Sequence, residues 1–184
     1  MRVPDRITSP VRKLCNRLSS VGDPAYVPVQ VESYAVINEC FPAVKQKIER
    51  DGGAVQYGWV IWFTPGVLME AEFHAVLKSP NGQFIDIARR PFKFERILFL
   101  PDKRRVYQGR QIDNLRIPLK KNPKVRRFIE LAEQNFKVMN EGDLANKHGV
   151  IKVDEKKLRP IMEEMATLST ALGLIETDGE TDGV

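Results

Sequence analysis

Between Gly53 and Pro91 the chain alternates apolar, β-branched runs with tight-turn residues, and this leaves little choice but antiparallel strands at its centre. Residues 54–63 (AVQYGWVIWF), bounded by Gly53 and Thr64-Pro65-Gly66, predict a strand. Residues 68–78 (LMEAEFHAVLK) and 83–88 (QFIDIA) flank Ser79-Pro80-Asn81-Gly82 and predict a hairpin. Its register decides which side chains share a face. A two-residue Asn81-Gly82 loop pairs Leu77 with Asp86 and leaves His74 on the opposite face. A three-residue Pro80-Asn81-Gly82 loop pairs Ser79 with Gln83 and Val76 with Asp86. His74 and Asp86 then become same-face diagonal neighbours at roughly 7 Å. Asn-Gly alone signals the shorter loop, but Ser, Pro, Asn and then a left-handed Gly suit a type I turn with a G1 bulge.

The flanks read as helices. Val11, Leu14, Cys15 and Leu18 share one face of residues 8–20, with Pro10 early in the helix. A short helix is expected from Pro42 to about 50, because Phe41 precedes a proline and is biased away from the α region. Cys40 then lies just before a helix N-terminus. Residues 22–30 read as a linker or edge segment, and residues 92–119 as further strand and loop. Asn122 and Pro123 open a helix to about Met139, and a second runs over roughly 155–172. The expectation is one α+β domain over residues 1–175: an antiparallel sheet of four to six strands, the Cys40 helix packed on it, and C-terminal helices. Residues 176–184 form an acidic tail expected to be disordered.

The chain has 184 residues but only two histidines, His74 and His148, and two cysteines, Cys15 and Cys40. So few reactive groups make their placement informative. A thiol with a free pKa near ~8.5 becomes a thiolate more readily at a helix N-terminus beside an imidazolium. The histidine holds the thiolate and later protonates the leaving group, while a carboxylate fixes the imidazole tautomer. Cys40 before a helix, His74 in a strand and Asp86 in the next strand match those needs.

The run EFHAVLKSPNGQFIDIARRP, with offsets of 34 from Cys40 to His74 and 12 from His74 to Asp86, resembles the transglutaminase-like branch of the papain-like cysteine enzymes. The likeness covers about residues 38–91. It implies Cys40 as nucleophile, His74 as general acid/base and Asp86 as orienting residue, acting on an amide or thioester. Phe41-Pro42 departs from the small residues that often follow the family's cysteine. The Cys40 N–H is the expected oxyanion donor, since Pro42 has none, and Tyr34 is the one aromatic nearby on that side. Such chemistry needs neither metal nor organic cofactor. Its substrate would be a protein, a peptide, or a small amide or thioester.

Each residue also has a plainer explanation. A cysteine among apolar residues usually packs a core, and so does a histidine in an apolar strand. Cys15 reads as structural and His148 as a surface loop residue. Glu72 shares the His74 face. Trp59 and Trp62 fall on opposite faces of one strand, so at most one lines a groove. Trp59, Glu72, Arg89 and Arg90 are the candidate substrate-binding residues.

Lys and Arg outnumber Asp and Glu by 29 to 24. Residues 89–127 alone carry 14 basic against three acidic residues, a net of +11, leaving −6 for the rest. The alternative to an enzyme is therefore a binding protein that grips nucleic acid or an acidic partner through this segment. The plainer view is a solvated basic face that partners acidic helices of the same fold or of another subunit. No phosphate-binding loop, zinc spacing or ~20-residue apolar span is present, and a cytoplasmic, reducing compartment is expected.

Overall fold

A computed structural model describes residues 1–18, 22–147 and 152–174. His148 and the acidic tail of 176–184 lie outside them. The chain is α+β, with a six-stranded antiparallel sheet and four α-helices among the described residues. Its elements are α1 (Ser9–Leu18), β1 (Ala25–Pro28), α2 (Cys40–Asp51), β2 (Ala54–Thr64), β3 (Leu68–Lys78), β4 (Phe84–Ile85), β5 (Arg96–Pro101), β6 (Leu115–Pro118), α3 (Pro123–Met139) and α4 (Glu155–Ala171). The strands run β1-β5-β2-β3-β4, and β6 also pairs with β3.

The central hairpin takes the longer loop. Leu77 pairs with Ile85 and Lys78 with Phe84, so Asp86 is not opposite Leu77. Ser79 O accepts from Gly82 N at 2.8 Å, Ser79 N donates to Gln83 O at 2.9 Å, and Gly82 takes a φ of 86°. Only glycine holds that left-handed angle without cost. The expected strand 83–88 shrinks to two residues because the chain then leaves β3. Asp86 N donates to Pro28 O at 2.9 Å and Gln30 N to Asp86 O at 2.8 Å. The two ends of the strand order thereby meet, and the sheet curls almost into a barrel.

β2 covers one edge of β3 along its whole length. On the other edge, β6 pairs with residues 68–71 and β4 with residues 77–78. Residues 72–76 have no strand partner there among the described residues. One face of the curled sheet packs Val27, Val60, Trp62, Val76, Ile97 and Phe99 together. The other buries Trp59, Ile61, Met69 and Phe73 under Val11, Leu14 and Leu18 of α1. Beside them α2 sets Cys40, Ala43 and Val44 on Ala75 and Leu77.

One helix boundary departs from the sequence reading. α2 begins at Cys40, not Pro42, so Phe41 is helical despite the proline after it. Pro42 occupies the third helical position, where a missing N–H removes a donor that has no intrahelical acceptor anyway. α3 follows expectation, with the Asn122 side chain accepting from Lys124 N. α4 has no fully buried residue, although Leu158, Ile161, Met165, Leu168 and Leu172 are half-buried and only Met162 of the expected stripe is exposed.

Candidate active site

Cys40 arrives at the unpaired stretch of β3 as the first residue of α2. Glu39 occupies the cap position of that helix without a capping bond from its side chain, and the first amides of any helix lack intrahelical acceptors. Asn38, just upstream, sits at a φ of 65°, a left-handed angle that asparagine tolerates better than most residues. The chain thus makes a sharp turn directly into the Cys40 amide.

His74 and Asp86 come together as the register requires. Nε2 of His74 lies 3.0 Å from Oδ1 of Asp86, with side chains 2% and 0% exposed. Asp86 is fully engaged: Oδ1 also accepts from Ala88 N at 3.2 Å, and Oδ2 accepts from Nη1 of Arg90. Burial favours the neutral acid, but His74 and Arg90 overcome it and hold the Asp86 carboxyl below its ordinary value. Burial likewise disfavours a charged His74. Cys40 and Asp86, each as charge and as hydrogen-bond partner, outweigh it and raise the imidazole to about 10. Nε2 is committed to the carboxylate side, and Nδ1 makes no well-formed hydrogen bond. Nδ1 is therefore the ring nitrogen left to serve the Cys40 sulfur.

Arg90 is part of this cluster and also borders, with Arg89, a hollow separate from the Cys40 cleft. Its Nη2 sits 3.1 Å from Nε2 of His74, and its guanidinium lies 5.5 Å from the centre of the Trp62 ring. One nitrogen cannot donate to Oδ1 and accept from Nη2 at once. With His74 protonated, Nε2–H belongs to Asp86, and the productive bond of Arg90 is the one to Oδ2. Trp62 continues the chain of contacts, donating from Nε1 to Glu72 at 2.6 Å.

The other sequence candidates separate. Glu72 lines the cleft of about 310 Å³ that holds Cys40, with Asn38, Glu39, Phe73, Gln111 and Asn114. Trp59 does not line that cleft; it is buried in the core under α1, packed edge-on against Phe73, and donates to Asp102 at 3.2 Å. Trp62 is the tryptophan coupled to the site. Arg89 is exposed and borders a separate hollow with Val31 and Phe92. Tyr34 packs beneath α2, its hydroxyl donating to Ala43 O at 3.4 Å. Cys15 is in the α1 core, where burial pushes its thiol up to about 11. Asn38, Gln111 and Asn114 were missed by sequence reasoning, because isolated amides in loops carry no pattern.

Part of the basic segment is engaged in internal pairs. Arg116 meets Glu70 at 2.9 Å, Arg127 meets Glu164 at 2.7 Å, and Arg104 and Arg105 flank Asp102 at 3.6 and 3.8 Å. No helix among the described residues is long and apolar enough to cross a membrane. No protein-family model, curated protein or solved structure matches the chain.

Proposed function

We propose that this chain is a cysteine-dependent acyl-transfer enzyme of transglutaminase-like type, acting on an amide or thioester. The observation that carries the reading is the buried His74–Asp86 pair set against Cys40 at a helix N-terminus, beside an open cleft. Sγ of Cys40 adds to the substrate carbonyl, and the carbonyl oxygen becomes an oxyanion near the Cys40 N–H. His74 gives its Nδ1 proton to the leaving amine or thiolate as the C–N or C–S bond breaks. Water or an amine then adds to the thioester while Nδ1 takes its proton, and Cys40 leaves. Asp86 keeps Nε2–H in place throughout, which fixes the tautomer. Amide hydrolysis, deamidation and transamidation share these steps.

Alkylation tests it directly. Iodoacetamide near pH 6, followed by mass spectrometry, is expected to modify Cys40 at least about tenfold faster than Cys15. Equal, slow labelling of both overturns the reading. The rival is a protein that binds nucleic acid or an acidic partner through residues 89–127, and it calls for steeply salt-dependent retention on DNA or RNA.

A further inference from the structure

Resting on that reading, we propose that the apolar cleft beside Cys40 is a subsite for a large apolar or aromatic group of the acyl donor. The cleft measures about 710 Å³, and Phe41, Pro42, Ile48, Val55, Tyr57 and Tyr107 line it. It adjoins the hollow holding the thiol: Glu39, Phe41 and Tyr107 border both, and the stacked Phe41 and Tyr107 rings form the rim between them. An acyl donor with its carbonyl at Cys40 would reach the larger cleft across that rim.

The wall has a definite shape. Phe41 follows the nucleophile directly, and its ring stacks on Tyr107 at 3.7 Å and 2° between planes. The Tyr57 ring is centred 6.2 Å from that of Phe41, tilted by 41°. Flat ring faces of this kind favour flat or extended apolar partners. Lys45 and Glu49 stand at the rim as an exposed pair 3.9 Å apart, while the interior of the cleft is apolar. Val55 is 37% exposed and waits uncovered at the start of a central strand. Charge does not compete for this role. The 89–127 segment reaches the two clefts only through Tyr107, Gln111, Ile112 and Asn114, and none of its Lys or Arg residues lines either one.

Two electrophiles that differ only in an apolar group read the subsite. With 2-chloroacetamide and N-benzyl-2-chloroacetamide, the Cys40 thiolate displaces chloride, forming an S–C bond as C–Cl breaks. Their rate ratio at Cys40, divided by the same ratio for glutathione, is expected to favour the benzyl probe about tenfold. Val55→Glu should cut the normalised preference by more than half, and Val55→Thr should retain most of it. A normalised ratio near one in the native chain overturns the subsite while leaving the thiol chemistry standing. Failure of both probes to modify Cys40 faster than Cys15 overturns the thiol reading itself. Concentration-dependent dimerisation abolished by Val55→Glu, with no benzyl preference, reassigns the cleft to contact between copies and also overturns the proposal.

Discussion

Arg90 stands where two demands on His74 collide, and the balance it strikes is measurable. The imidazole is buried yet held charged, so its proton should persist through pH 8 and leave only near 10. Ring nitrogen chemical shifts followed by NMR would show this directly, with just two histidines to assign. Cys40→Ala removes one of the groups that raise His74, and the midpoint should fall as burial regains weight. Asp86 gives the opposite sign. Its folded-state value lies below the ordinary 3.8, so its stabilisation is present above that value and is lost as pH falls through the folded one. Urea midpoints of the native chain should drop in that acid window, and Asp86→Asn should lack that part of the drop. Arg90→Met leaves Oδ2 of a fully buried carboxylate without its donor and should cost about 2 kcal/mol in urea unfolding. The sequence already held His74 and Asp86 because a local turn sets their register. It did not hold Arg90 in the cluster, since the chain leaving β4 for β1 is what carries Arg90 back over Asp86.

Among the elements, β2 does the most to fix the site from behind. Gly58 pairs with His74, and a Cβ placed there would lie 2.3 Å from Leu100 O and 2.5 Å from the Phe99 ring. Only glycine lets β5 approach so closely at the strand pair that backs the imidazole. Gly58→Ala should therefore destabilise the fold by about 2 kcal/mol, seen as a lower urea midpoint with an unchanged slope. The strands β2 and β3 were readable from their β-branched runs, and α3 from its Asn-Pro start, because those signals are local. The open edge of β3 was not. It exists because β6, far away in sequence, pairs only with residues 68–71 of β3, and β4 only with residues 77–78 before the chain turns away to meet β1. The early start of α2 was hidden for a related reason: a local preference at Phe41 yielded to the packing of Phe41 on Phe73 and Tyr107.

On the scale of the whole molecule, the catalytic proposal and the C-terminal helices are separable. α4 meets the rest of the fold largely through α3, helped by the Arg127–Glu164 pair, and buries no residue completely. A chain ending at residue 147 should keep its folded spectrum and its rate of Cys40 alkylation within about twofold, as expected for a peripheral unit. Loss of that reactivity would show that α4 supports the site. Charge is polarised along the chain, but polarity in sequence proved a poor guide to the cleft. The basic segment threads through β5, β6 and α3, pairing several of its cations internally and offering the cleft neutral side chains. The seam between Asp86 and residues 28–30 has a consequence for the life of the protein. The same residue stitches the barrel shut through its backbone and steadies His74 through its carboxylate. A chain still emerging or half-assembled lacks that carboxylate in place, so on the acyl-transfer proposal its thiol would be idle. Completion of the fold would then be the event that arms it.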